Sequence, residues 1–424
     1  MNHFTYQNGE LCCEHVRISE IAAQVGTPFY LYSSATLKRH FTAFESGFEG
    51  MPHQTCFAVK ACSNIAILKL FATLGGGADI VSGGELFRAL KAGVDPQRII
   101  YSGVGKSRRE LSEALQAGIL MFNVESPQEL DRLQEVAAEL KSTARIAFRI
   151  NPDVDPKTHA YISTGLAKNK FGIPVTEAVQ DYLRAKAMPN IEIVGVSCHI
   201  GSQLTQLEPF IEALRKVKAF IARLAQEGIQ IRYVDMGGGI GIPYDDEQPP
   251  HPTAYAAAVR EELAGMNVSL ILEPGRVLVG NAGVLVTEVQ YTKQNSGGDK
   301  VKRFIIVDAA MNDLARPSLY GAYHEILPVR EPAAGGGVLQ EADVVGPICE
   351  SGDFLAKDRP LPELRQGELL AVMSSGAYGF SMSSTYNSRP RAAEVLVSKD
   401  RFQVIRQREG YADLVRGEAV SSLE

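Results

Sequence analysis

No stretch of this 424-residue chain approaches the ~18 consecutive apolar residues of a membrane span. Basic residues form no cluster: 43 Lys and Arg stand against 49 Asp and Glu, for a net charge of −6. That leaves no electrostatic footprint for nucleic acid or an anionic lipid surface. The opening residues, "MNHFTYQNGELCCEH", hold no apolar core and carry acids early, unlike a secretory signal. Six cysteines (Cys12, Cys13, Cys56, Cys62, Cys198, Cys349) make no C-x-x-C pair and no disulfide-like spacing. Free thiols in a reducing compartment are expected, hence a cytoplasmic protein. Eight histidines fall without H-x-x-x-H or H-E-x-x-H spacing, so no metal site is expected.

What is present is an ordinary globular balance, 45% hydrophobic and 22% charged, in a chain long enough for two cores. From residue 55 a short apolar strand followed by an amphipathic helix recurs at intervals of roughly 20 to 40 residues. The strands are "TCFAVK", "GADIVS", "RIIYSG", "LMFNVES", "RIAFRINP", "IVGVSCHIG", "RYVDMGGG" and "LILEPGR". Ser82 with Glu85, Ser107 with Glu110 and Ser126 with Glu129 have capping-box spacing just after a strand. Pro127 suits a first helical position, and Gly75, Gly93, Gly118 and Gly228 suit left-handed helix ends. Eight β/α units with strands apolar on both faces predict a closed (β/α)₈ barrel of the TIM type. An open doubly wound sheet is the alternative, disfavoured because no G-x-G-x-x-G follows the first strand. After Gly275 the pattern turns to β-type alternation, with a hairpin around an Asn-Ser-Gly-Gly turn and strands lacking helical partners. The expected domains are a barrel over 30–280 and a mainly antiparallel β-domain over 281–424 joined by residues 1–29.

In such a barrel the strand C-termini form the active-site mouth, and the last two loops often hold phosphate. "GGGIG" (Gly237 to Gly241) and "EPGR" (Glu273, Gly275, Arg276) occupy those positions. Glycines there let backbone N–H groups approach an anion, although tight turns alone would also use them. Other strand ends supply Lys60, Asp79, Ser82 and His199. A lysine, a flat-ring partner, a carboxylate and a phosphate site together suit pyridoxal phosphate, whose ring nitrogen needs an acid to stay protonated. Individually, each of these residues has an ordinary structural explanation.

"FAVKACSN", "CHIGSQ", "DMGGGIG", "EPGR", "CESGD" and "GAYG" resemble the motifs of the fold-type III pyridoxal-phosphate decarboxylases, which share the alanine racemase and ornithine decarboxylase architecture. "YSGVGKS", "NPDVDPKTHAYISTGLAKNKFGI" and "RPSLYGAYHEI" point within that family to the branch acting on meso-2,6-diaminopimelate. The resemblance runs in order along nearly the whole chain. It implies decarboxylation of that substrate to L-lysine, the last step of lysine synthesis, in a homodimer with shared sites. It implies that Lys60 holds pyridoxal 5'-phosphate and that His199 stacks on its ring. Ser202, Gly237, Gly238, Gly239, Gly275, Arg276 and Tyr378 are implied for the phosphate, with Glu273 on the ring nitrogen. Asp79 joins the cofactor site. Arg276, Arg316, Tyr320 and Tyr378 are implied for the substrate, with Glu350 on its distal amine and Cys349 as proton donor.

One departure is Cys62, where the family usually has asparagine. Decarboxylases of ornithine, arginine or carboxynorspermidine share the lysine, histidine and glycine motifs. Arg316 opposes the first two, whose distal groups are cationic. Alanine racemase would normally place arginine rather than Glu273 at the ring nitrogen. A non-catalytic cofactor-binding barrel would be expected to lack Lys60 or Cys349, and both are present.

Overall fold

A computed structural model describes residues 3–155, 170–297, 300–332 and 338–421. The chain divides into two compact units, Lys38–Leu278 and Met1–Leu37 with Val279–Glu424. Part of the motif beginning at Asn151 lies outside the described residues. Among those described, no helix is long and apolar enough to cross a membrane, and no cluster of His, Cys, Asp and Glu could hold a metal.

At the N-terminus β1 (Phe4–Gln7), β2 (Glu10–Cys13) and β3 (Val16–Arg17) form a small antiparallel sheet, and β4 (Phe29–Ser33) follows. The barrel strands are β5 (His53–Ala58), β6 (Gly77–Ile80), β7 (Ile99–Tyr101), β8 (Met121–Val124) and β9 (Ala144–Asn151). After a two-residue β10 (Ile173–Pro174) come β11 (Ile191–Ser197), β12 (Tyr233–Asp235) and β13 (Ser269–Leu272). Each pairs in parallel with the next around the ring; β8 pairs with β9 and β13 returns to β5, so the sheet closes. The predicted (β/α)₈ barrel is therefore present.

The interior is layered. Cys56, Ile100, Met121, Ala147, Val194 and Ile271 pack together as one apolar cluster inside the barrel. Two residues further along three of these strands stand Asn123, Arg149 and Glu273. Side chains alternate faces with period two, so these polar groups stack above the apolar layer, towards the strand C-termini.

Local signals behave as the spacing predicts, with corrections. Of the three expected capping boxes only Ser107 with Glu110 is complete, each side chain bonding the other's backbone. Ser82 and Ser126 do accept from the N–H groups of Glu85 and Glu129. Those glutamates, however, reach one residue further back, to the N–H groups of Val81 and Glu125. Lys60 is not the last residue of a strand: β5 ends at Ala58, and Val59–Ala61 is a 3-10 turn.

In the second unit β14 (Gly283–Gly297) pairs antiparallel with β15 (Lys300–Val307). Asn295 and Ser296 are paired strand residues rather than turn, because the register runs on through Gly297 and Lys300. The remaining strands are β16 (Ile326–Pro328), β17 (Gln340–Val345), β18 (Phe354–Leu361), β19 (Leu369–Val372), β20 (Ala393–Ser398) and β21 (Arg401–Arg406). The sheet is mostly antiparallel, but β15 with β17 and β20 with β4 run parallel. β4 lies between β14 and β20 with all five residues buried, so Phe29 to Ser33 form a central strand of this sheet. Phe29 and Leu31 join Val284, Val286, Val395 and Val397 in its core. Contrary to a strand-only expectation, short helices at Arg316–Tyr320 and Tyr411–Leu414 stand among these strands.

Lys106, in the loop after β7, is buried. Its ammonium donates to Glu129 Oε1 at 2.7 Å, the Asn123 carbonyl at 2.7 Å and the Gly103 carbonyl at 2.8 Å. Burial pushes the Glu129 carboxyl upward while the Lys106 charge pulls it back. Breaking a buried pair from one side strands a charge, at about 3–5 kcal/mol. Lys106→Met should therefore lower the thermal midpoint sharply, and adding Glu129→Leu should recover much of the loss. Equal midpoints for the single and double variants would refute this account.

Candidate active site

The turn after β5 places Lys60 at the barrel mouth. Cys62 is buried and donates its N–H to the Val59 carbonyl at 3.1 Å, closing that turn through its backbone. Asn64 then caps the following helix, its side chain accepting from Ala66 N at 2.9 Å. The Lys60 ammonium meets Asp79 Oδ2 at 3.0 Å; Asp79 is wholly buried at the end of β6, while the lysine side chain is 37% exposed. A cation therefore stands over the interior with one side open.

Beside it three carboxylates crowd a desolvated space. Asn123 Nδ2 lies 2.7 Å from Asp235 Oδ2, 3.4 Å from Glu273 Oε1 and 3.1 Å from Ser102 Oγ. The Ser102 hydroxyl donates to Glu273 Oε1 at 3.3 Å, and Asp235 Oδ1 accepts from Gly237 N at 2.9 Å. Burial raises the Glu273 carboxyl well above its ordinary range; the charges of Asp235 and Asp79 raise it further, and Lys60 opposes them. Burial raises Asp235 as well. Glu85 is pushed up to about 7 by burial, and the neighbouring charge of Asp79 adds to this. Glu273, Asp235 and Glu85 are thus all raised by burial within one site.

The loops after β12 and β13 interlock. Glu273 N donates to the Gly237 carbonyl at 2.8 Å, and Ala58 N donates to the Pro274 carbonyl at 3.1 Å. A Cβ on Gly238 would stand 2.2 Å from the Glu273 carbonyl, and Gly237 has φ 63 with His199 pressed against it. These glycines are required by close packing of the two loops and the histidine. Desolvation drives the His199 imidazole well below its usual range, with Arg149 and Lys60 adding to the effect, so the ring is neutral. Arg149 also donates to the His199 carbonyl at 3.4 Å and pairs with Glu125 at 3.1 Å. Gly275 sits against Ala58 and Ala61, either side of Lys60. Arg276 is buried and donates to Ser202 Oγ at 3.0 Å and the Tyr244 hydroxyl at 2.7 Å. A guanidinium with two hydroxyls is an anion-recognition group.

Lys60, Asp79, His199, Ser202, Gly237 to Gly239, Glu273, Gly275 and Arg276 thus share one unit. Ser82 serves as a helix cap. Cys349, Glu350, Arg316, Tyr320 and Tyr378 belong to the other. There Arg316 is buried, donates from Nε to His324 Nε2 at 3.4 Å and lies 5.9 Å from the Tyr320 ring centroid. His324 Nδ1 is 2.8 Å from the Met373 carbonyl. Cys349 and Glu350 are exposed, and Tyr378 has φ 54.

Sequence reasoning did not single out Ser102, Asn123, Asp235, Arg149, Glu125, Tyr244 or His324. Two carried a signal: Asn123 interrupts "MFNV", and Asp235 ends "YVD", each a polar residue inside a buried strand.

Residues 34–280 match the family model of the pyridoxal-dependent decarboxylase pyridoxal-binding domain. A diaminopimelate decarboxylase of Pseudomonas aeruginosa is 52% identical over 420 residues, 99% of each chain. The diaminopimelate decarboxylase of Helicobacter pylori, solved in complex with L-lysine, is 46% identical; the match has a TM-score of 0.90 and covers 94% of this chain and 98% of that one. The M. jannaschii diaminopimelate decarboxylase, in co-complex with L-lysine, is 40% identical with a TM-score of 0.92 over 99% of each chain.

The raised carboxyls have a measurable consequence in the cofactor-free protein. A carboxyl raised in the folded state favours folding while protonated. Its contribution is fully present below the ordinary value near 4.5 and is lost as pH rises through the raised one. Glu273→Gln should flatten the decline of thermal midpoint from about pH 4.5 towards neutrality. Identical slopes in variant and parent would show that the cluster does not behave as a strained set of acids.

Proposed function

The chain belongs to the pyridoxal-dependent decarboxylase family, and from that premise we propose how its residues divide one reaction. The enzyme is a carbon–carbon lyase that converts meso-2,6-diaminopimelate to L-lysine and carbon dioxide, the step that ends lysine synthesis, with pyridoxal 5'-phosphate as cofactor. The single observation that carries the site assignment is the Glu273–Asp235–Asp79 cluster facing Lys60. Three buried carboxylates against one lysine call for a further cation, and a protonated pyridine ring is one. The Arg276–Ser202 pair supplies the matching anion site at the other loop. When bound, the cofactor supplies the electron sink for the bond to carbon dioxide.

The protein does the rest. Asp79 holds the Lys60 amine at the mouth, ready for covalent attachment. Neutral His199 offers a flat face for stacking without bringing a charge against the ring. Glu273 would hold a proton on the ring nitrogen. Gly237 to Gly239, Gly275 and Tyr378 would complete the phosphate contacts. Arg316, backed by His324, binds the distal carboxylate with Tyr320, and Glu350 binds the distal ammonium. Cys349 holds the proton that replaces the lost carboxylate. Incubation of the protein and cofactor with meso-diaminopimelate should yield equal lysine and carbon dioxide; absence of both would refute the reading. Borohydride should fix the cofactor to the peptide containing Lys60, and capture on any other peptide would displace it.

We further propose a homodimer with shared sites in the cytoplasm, with no nucleic-acid or membrane partner. An exposed thiol exchanges its proton with water and cannot deliver it selectively, so Cys349 needs a covering surface. Exposed Leu319 and Tyr386 stand beside anchor residues of its loop, Ser318 and Asn387, and offer an apolar rim for a second copy. Lys60→Ala and Cys349→Ala, inactive alone, should regain roughly a quarter of parental activity after subunit exchange, since about half the dimers are mixed and each restores one of two sites. No recovery after confirmed exchange would place both residues in one chain's site.

Arg316→Ala should lose ~3 kcal/mol or more in kcat/KM while the cofactor spectrum is unchanged. Unchanged kinetics would remove Arg316 from substrate recognition.

A further inference from the structure

We infer that Asn387 is a positioning residue for the proton donor: its side-chain carbonyl fixes the backbone of Cys349 and thereby decides which face of the substrate carbon receives the proton. The inference rests on the reading of Cys349 as that donor.

The Cys349 loop lies between β17 and β18 and is pinned nearly everywhere by its own unit. Asp353 accepts from Ile348 N and from Met311 N, both at 2.8 Å. Glu350 N donates to the Ile348 carbonyl at 2.8 Å, and Asp353 N to the Glu350 carbonyl at 3.0 Å. The Ser318 hydroxyl donates to the Gly352 carbonyl at 2.6 Å. The bond from Glu350 N to the Ile348 carbonyl closes a three-residue turn with Cys349 at its centre, and the others hold Gly352 and Asp353 beside it. The Cys349 N–H itself is held by Asn387 Oδ1 at 2.8 Å, from 38 residues away. Within its own chain the thiol is exposed, so packing of its own unit does not set its direction. The Asn387 bond ties the turn that carries the thiol to a second segment and sets where that turn points.

Asn387 itself stands at φ 56 and ψ 26, in the left-handed region. Asparagine, aspartate and glycine tolerate that conformation better than other residues. Two explanations for an asparagine therefore compete, the turn and the carbonyl. Glycine satisfies the turn and lacks the acceptor, whereas aspartate satisfies the turn and keeps an acceptor. N387G and N387D separate them.

The reaction, run in deuterium oxide, leaves one deuterium on the lysine carbon that lost carbon dioxide. The parent enzyme should place it at one of the two positions on that carbon, N387D should do the same, and N387G should distribute it over both. Amide hydrogen exchange at Cys349 in the cofactor-free protein should be about fivefold faster in N387G, the factor a single net hydrogen bond is worth. N387D should exchange like the parent. The proposal is overturned if N387G keeps a single deuterium position with parental exchange, which would leave Asn387 a turn residue. It is overturned equally if N387D scrambles as N387G does. Cys349→Ala is the separate control: residual turnover that is still stereospecific would show that another group is the donor, and the underlying reading would fail independently of Asn387.

Discussion

Closure of eight parallel strands is the constraint on which this structure depends. In a closed ring every strand alternates inward and outward, so one residue's choice of face sets that of its neighbours two positions away. The apolar layer of Cys56, Ile100, Met121, Ala147, Val194 and Ile271 thereby commits Asn123, Arg149 and Glu273 to the interior above it. Polar groups in that position are costly unless they are bonded or paired. Asn123 and Ser102 offset part of the cost for Glu273 and Asp235, and Lys60 part of it for Asp79. What remains is a group of closely spaced buried carboxyl groups, which we propose as the recognition element for a cationic ring.

A second consequence concerns the loops. The segments after β12 and β13 touch at backbone distance, where Glu273 N donates to the Gly237 carbonyl. Only glycine permits this at Gly238, against the Glu273 carbonyl. The glycine run is therefore a packing requirement.

The two units treat their reactive groups differently. In the barrel the lysine, histidine and carboxylates are buried or half-buried, and desolvation lowers His199 and raises Glu273 and Asp235. In the β-unit the thiol is exposed within its own chain, and the loop that carries it is held by hydrogen bonds to its backbone. Arg316 is the exception there, being buried and backed by His324.

The sequence by itself determined the barrel, because eight apolar strands and their glycine-ended helices encode a period that few folds share. It also nominated the residues proposed to carry the chemistry at the strand ends, since motif order along the chain is a one-dimensional property. It did not determine where a strand stops: the apolar "TCFAVK" runs on smoothly, yet tertiary contacts turn the chain at Ala58 and leave Lys60 in a 3-10 turn. It did not decide how far Glu85 and Glu129 reach back, which depends on where the preceding strand delivers its free N–H groups. Nor could it place Phe29 to Ser33 at the centre of the second sheet, since that position exists only once β14 and β20 have come to flank it. The bonds from Asn123 to Asp235 and from Asn387 to Cys349 join residues 112 and 38 positions apart. Such distances carry no local signal, so only the folded structure could decide them.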